Sequence, residues 1–440
     1  MKWIQRKHLP ATGVVALTLA ILAGCKASPQ PDYGRQLAPG APALRKVDPR
    51  YWPSFATAFG AAGRGLSEAL DRGLEWFAKP STQQFFPVEN ISHEQVWLSV
   101  FALGRLIDES DSAEAFESAL RRHFDLYMSV GWDDHGTVLF TGYYSPVFSA
   151  SRTRQGQYRH PLYTRPSDLS TDPITGEVLG RRVGATTIRY PARAQIEAEP
   201  EKLGLTGREL VFLRDKFDAY IIHVNGSARL TLTDGSTMHI GYAGSNGREY
   251  TSIGRLLIHD TTISEDSMSL ATLRNYFASH PDHIDRYTLR NERFVFFQEY
   301  AGESWPSGSL GFKVTPWRTV ATDKRLFPRG SPVLVDTMVP KMGRDRSAVN
   351  FAPFSQLMVD QDTGGAIRAA GRADLYMGVG AEAETRAGRQ AAEGRLYYLI
   401  LRTDQLDQWR EALEQSWPVQ TITREPSPRV GAGLARVIHE

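Results

Sequence analysis

The chain has 440 residues, and 51 Lys and Arg against 49 Asp and Glu leave a formal net charge of +2. So even a balance creates no broad field to hold a polyanion, which argues against nucleic acid as a partner. A single cysteine excludes an internal disulfide and a Cys-based zinc site, and the length calls for two domains or one large split one.

Lys2, Arg6, Lys7 and His8 form a positive head, and residues 14–22 are an apolar run too short to span a bilayer stably. That run leads through Ala23 and Gly24 into Cys25, the one cysteine, and resembles a lipobox. It implies a signal at residues 1–24 that is removed, lipidation of the Cys25 thiol, and a membrane attachment through that lipid. Lys26 at the next position, rather than Asp, implies the periplasmic face of the outer membrane. The bland alternative is an ordinary signal with an incidental Cys. Residues 25–50, rich in Pro, Ala and Gly, read as a flexible tether.

From residue 51 to about 130 the pattern is helical. Ser92-x-x-Gln95 fits a capping box ahead of Val96, Val100 and Leu103. Asp111-x-x-Glu114 reads as a second start, with Phe116, Leu120, Phe124 and Tyr127 on one face. After Thr137 the period becomes that of strands, at residues 138–140, 220–224 and 229–232, with Thr233-Asp234-Gly235 as a hairpin turn. Residues 269–278 predict a short helix, and strands return at 294–297, 333–336 and 356–359. A helix is expected over 385–393, a strand over 396–401, and no order over 417–440. The architecture is a helical collar around β-structure, with strands from both ends of the chain.

Phosphate-loop, zinc-protease and serine-hydrolase motifs are absent from the sequence. Gly378-Val-Gly380-Ala-Glu-Ala383 matches a loose dinucleotide pattern, but lacks the acidic residue and βαβ setting that would support it. The eleven His are scattered and suit surface and core. The dense stretch is Gln361-Asp362-Thr-Gly364-Gly365-Ala-Ile-Arg368 followed by Gly371-Arg-Ala-Asp374-Leu-Tyr376-Met-Gly378. It sets two carboxylates among glycines that permit close backbone approach. Asp323 follows Arg318 in a third segment. A Gly-Gly pair beside an Asp is most often a tight turn, so residue chemistry alone leaves a carboxylate site and a turn both open.

Residues 309–337 and 358–401 resemble the three-aspartate domain of cell-wall proteins. Phe140-Thr-Gly-Tyr143-Tyr144-Ser-Pro146, Pro161-Leu-Tyr163, Asn246-Gly-Arg-Glu-Tyr250 and Asn291-Glu-Arg-Phe-Val-Phe-Phe297 resemble, in order, further hallmarks of the membrane-bound lytic murein transglycosylase A family. The likeness covers about residues 140–401. It implies a mainly β fold with an N-terminal helical region (α+β): a double-psi β-barrel domain at 51–147 and 300–410, a smaller β domain inserted at 148–299, and a deep groove between them. It further implies a lytic transglycosylase that needs no cofactor or metal and acts on peptidoglycan glycan strands, among other cell-wall synthesis or hydrolysis proteins. Asp374 maps onto the catalytic acid and Asp362 and Asp323 onto the two supporting acids. Tyr143, Tyr144, Arg318, Gly364, Gly365 and Tyr376 fall where substrate would bind. Strand alternation sends one of Tyr143 and Tyr144 to the groove and the other to the core. Arg318 is expected to hold an acid or meet an acidic peptide stem, and Asn246-Gly247 to make a turn.

Two features depart from the family pattern. Ala369-Ala370 stand where a glycine often follows the Arg of the Gly-Gly-Ala-Ile-Arg stretch, and the chain runs roughly forty residues past Leu401. Two other readings stay open: a peptidoglycan-binding lipoprotein without catalysis, and a hydrolytic muramidase in which Asp374 works with Asp362 or Asp323. The muramidase would need the paired acids about 6.5–9.5 Å apart. A metal-dependent enzyme ranks below both.

Overall fold

Each helix of the N-terminal region has a local cause. In the computed structural model, which describes residues 30–172, 177–260, 263–264, 267–343 and 348–416, helix Arg64–Phe77 turns Leu66, Ala69, Leu70, Gly73, Leu74 and Phe77 inward. That is the spacing of one apolar face. Helix His93–Glu109 begins as the sequence predicts, with the Ser92 hydroxyl accepting from the Gln95 backbone N–H. The reciprocal half of the box is not made, because the Gln95 amide donates 2.7 Å to the Leu401 carbonyl. Helix Ala113–His123 is capped by Ser112, one residue later than Asp111 suggests.

Three expectations about elements need correction. Phe124 and Tyr127 lie on strand Phe124–Ser129, not on a helix face. A ladder to Tyr397–Leu401 takes that backbone, a distant pairing that overrides a helical period. Residues 220–224 belong to helix Lys216–Asn225, which Asp215 caps by accepting from two backbone N–H groups and Gly226 (φ 75°) ends. Short apolar runs do not distinguish the two states. The helix expected over 385–393 is Ala381–Ala387, and strand Ala391–Leu401 takes up the rest. The hairpin turn, with Gly235 at φ 84°, and helix Leu270–Ser279, capped by Ser269, are as expected.

Six strands close on themselves: Val138–Ser145, Arg372–Val379, Thr319–Ala321, Ala348–Asp362, Pro332–Met342 and Ala391–Leu401, the last pairing back to the first. Two pairings within the ring are parallel, between the first two strands and between the third and fourth. This is the double-psi β-barrel. The N-terminal helices and helix Leu406–Ser416 share one apolar core with it. Between Val138–Ser145 and Thr319–Ala321 the chain builds the inserted β body around separate cores. Its six-stranded sheet runs, in spatial order, Val295–Tyr300, Thr237–Ser245, Ser227–Leu232, Val147–Ser151, Glu209–Leu213 and His160–Tyr163. A parallel bridge from Thr164 to Phe297 draws the two edges together. Arg274 ties inserted body to barrel, pairing with Asp218 at 2.5 Å and with Glu384 at 3.0 Å.

The tether is shorter than composition suggests. Leu44–Lys46 is an edge strand on Phe124–Ser129, Ala43 and Leu44 are buried, and Arg35 pairs with Asp134 at 2.6 Å. Three residues of edge pairing leave no periodicity to read. Residues 1–24 and Cys25, like 417–440, lie outside the described residues. Among those described, no helix is long and apolar enough to cross a membrane.

Candidate active site

Strand Arg372–Val379 alternates. Ala373 and Leu375 point into the barrel core and are fully buried, so Arg372, Asp374 and Tyr376 share the opposite face. Thr141 is the cross-strand neighbour of Asp374, and Arg372 donates to the Thr141 hydroxyl at 3.1 Å. Two atoms on this face are left over. Oδ1 of Asp374 and Nε of Arg372 are both shut from solvent with no partner among the described residues. Burial raises the Asp374 carboxyl to about 7, against the pull of Arg372 and Thr141, and the charge of Asp362 adds a smaller push upward. An uncompensated buried polar atom costs about 1–3 kcal/mol.

The other two acids have no such vacancy. Asp362 Oδ1 accepts from the backbone N–H groups of Ser309 and Thr363, each at 2.8 Å, and Oδ2 accepts from the Tyr143 hydroxyl at 2.7 Å. Burial also raises its pKa, opposed by those three bonds. Asp323 is fully buried and accepts from the Arg325 guanidinium and the N–H groups of Arg325 and Ala369. Despite its burial, these bonds hold its carboxyl below the usual range. Asp362 is held by two backbone N–H groups and the Tyr143 hydroxyl, whereas Asp323 is held first by the Arg325 guanidinium and then by two backbone N–H groups, one of them Ala369 on the loop over 362–371.

The tyrosine alternation is resolved. Tyr143 lies on the acid side, half-buried, with its ring 5.1 Å from that of Tyr376. Tyr144 is core. Tyr376, expected to touch substrate, is 1% exposed, and its hydroxyl bonds that of Ser145 at 3.1 Å. Arg318 holds neither acid. Its buried guanidinium donates to the carbonyls of Leu357 (3.0 Å) and Ala61, pinning the helical collar to the barrel. Gly364 and Gly365 are partly exposed on the loop. A Cβ at Gly365 would stand 2.7 Å from Nε of Arg293, so the glycine lets an inserted-body arginine lie against the loop. Asn246 is the expected turn anchor, its amide donating to the carbonyls of Pro191 and Glu292.

Sequence reasoning missed Arg372, Tyr250, Arg255 and Arg293. The first has a plain signal: it stands two residues before the acid on a strand, hence on the same face. Tyr250 is half-buried; desolvation raises its pKa, and Arg372, Arg255 and Asp374 also act on its ionisation. Its approach to Asp374 depends on how the inserted body meets the barrel, which no local pattern encodes.

Residues 139–298 match the family profile described as the MltA specific insert domain, and residues 318–400 match the 3D domain. The chain is 33% identical over 279 residues to the membrane-bound lytic murein transglycosylase A of Escherichia coli K12, covering 62% of this chain and 69% of that protein. It is 30% identical over 273 residues to the Vibrio cholerae protein of the same name, covering 62% and 67%. Among solved structures, a membrane-bound lytic murein transglycosylase from Agrobacterium tumefaciens superposes with a TM-score of 0.64 at 24% identity, covering 84% of this chain and 100% of that one. Escherichia coli MltA with bound chitohexaose gives 0.59 at 24% identity, covering 84% and 96%. The structural likenesses support the fold.

Proposed function

This chain belongs to the membrane-bound lytic murein transglycosylase A family, and from that premise we infer that it is a peptidoglycan lytic transglycosylase working through one acid, Asp374. The bond cut is the β-1,4 link between N-acetylmuramic acid and N-acetylglucosamine. Protonated Asp374 gives its proton to the leaving glycosidic oxygen. The carboxylate so formed takes the proton of the muramyl C6 hydroxyl, whose oxygen attacks the anomeric carbon and closes a 1,6-anhydro ring. No water is consumed, and the acid ends protonated as it began. Because the nucleophile belongs to the substrate, its proximity can offset about 7–11 kcal/mol of barrier.

The observation that carries this reading is the free oxygen of Asp374 on a carboxyl raised to about 7, which places useful fractions of both forms at neutral pH. A muramidase needs a second carboxylate to activate water or attack, and every oxygen of Asp362 and Asp323 is already engaged. A protein that only binds glycan gains nothing from a carboxyl left unsatisfied. Tyr143, half-buried beside the acid, is the ring we assign to stacking on a sugar. The lipobox supports an anchor at Cys25, and Lys26 after it supports a place at the outer membrane.

Mass spectrometry of muropeptides released from purified sacculi tests the reading. The protein without residues 1–25 should release anhydro-muropeptides, one water lighter than hydrolysis products, and Asp374→Ala should lower their yield by about 10²–10⁴-fold. Reducing-end products would replace this assignment with the muramidase.

A further inference from the structure

Beyond Tyr376 lies a second concavity. A cavity of about 410 Å³ opens between helix Arg64–Phe77, the inserted hairpin and the segment over 305–316. Its walls carry Arg72, Arg229, Lys313 and His239 against a single carboxylate, Glu68. That carboxylate is already shared by Arg64 at 3.1 Å and Arg72 at 3.4 Å, and Arg72 also donates to the Thr315 hydroxyl. Arg229 and Lys313 have no carboxylate partner among the described residues. Both press on His239, whose ring lies 4.8 Å from that of Trp305. Burial first, then Arg229 and less strongly Lys313, lowers the imidazole pKa, while the Glu299 carboxylate opposes them. Cations that converge on one pocket in excess of its carboxylates leave a field that an anion relieves.

We propose that this cleft receives the carboxylates of the peptide stem carried by a glycan strand whose scissile bond lies at Asp374. The proposal rests on the transglycosylase reading above. Tyr376 lines the cleft and follows Asp374 by two residues on one strand, a separation of about 6.6 Å. An extended four-residue stem reaches up to roughly 14 Å, enough to run from a sugar at the acid into the cavity. A stem presents its carboxylates singly and apart, which suits one cation on the inserted sheet and another on the 305–316 segment. A compact phosphate dianion would have to sit near Glu68. Trp305, Val314 and Pro316 supply apolar wall for the methyl groups between the carboxylates.

The test is equilibrium binding of strand fragments of equal length, with and without stems, to the full-length Asp374→Asn protein, which leaves them uncut. The same protein carrying Arg229→Ala and Lys313→Ala is measured beside it. The double substitution should weaken the stem-bearing fragment roughly tenfold and change the denuded one by less than about twofold. Unchanged affinity for denuded strands doubles as the control for folding. Equal loss for both fragments, no loss for either, or no preference for stems in the parent overturns the proposal. Binding is read without turnover, so failure of the transglycosylase reading would appear separately, in the products of the sacculus digestion.

Discussion

Of the three aspartates in the dense segments, Asp374 alone keeps an oxygen in reserve, and its ionisation follows from what surrounds it. Its folded value of about 7 stands above the ordinary 3.8, so the native state holds the proton more tightly than the unfolded chain. The stability this contributes is complete below the ordinary value and is lost as pH rises through about 7. Asp374→Asn, which mimics the protonated form, should therefore unfold at a higher temperature than the wild type at pH 8 and at nearly the same temperature at pH 4. The cleavage rate should fall about tenfold per pH unit above 7, as the acid is titrated away. A rate flat from pH 6 to 9 would place the proton donor elsewhere. Asp323 has the opposite sign, since its depressed pKa makes it stabilising until pH falls through the folded value. The departure at Ala369 also has a residue-scale meaning. Ala369 sits at φ 72°, where glycine is at ease, and its N–H donates 3.0 Å to Asp323. The loop keeps its shape at the cost of a strained alanine.

Among the elements, the strand Arg372–Val379 and the helix Leu270–Ser279 do most to align the site. The strand end is packed too tightly for a side chain at Gly371. A Cβ there would stand 2.7 Å from the Trp132 Cβ and 3.0 Å from the Tyr33 carbonyl oxygen, so neighbouring segments set where Arg372 and Asp374 point. The helix acts through Arg274, whose guanidinium lies over the rings of Phe148 and Phe217 and bridges Asp218 to Glu384. Arg274→Met keeps much of the packing but leaves two partly buried carboxylates facing each other without their cation. Denaturant unfolding should show a loss of about 1–3 kcal/mol, with cleavage slowed because the inserted body no longer holds its place against the barrel. Unchanged stability would mean the two ion pairs are incidental. Elements of this kind were only partly legible. Helices capped by Ser92 and Ser269 announce themselves locally, whereas Phe124–Ser129 and Lys216–Asn225 take their state from partners or from a cap outside the run.

For the whole molecule, the expected tether matters because its described part is tied to the body. Tyr33 donates from its hydroxyl to Glu393 and Arg35 pairs with Asp134, so the body holds the chain from Tyr33. Eight residues from Cys25 to Tyr33 span at most about 28 Å, which would keep a lipidated enzyme working close to its membrane. Cys25→Ala should move the protein into the soluble fraction of a periplasmic fractionation, and retention of that variant with membranes would show that something else holds it. The sequence by itself determined the family and the mainly β architecture with its inserted body, because these are written in local motifs and in their order. Only the tertiary structure decided which acid keeps an unsatisfied oxygen, that Tyr143 and not Tyr144 lies on its side, that Arg318 is a brace, and that Tyr250 of the inserted body feels the charges of Arg372 and Asp374. Burial and ionisation are set by neighbours distant in sequence, and a carboxylate's chemistry depends on which of its lone pairs those neighbours leave free.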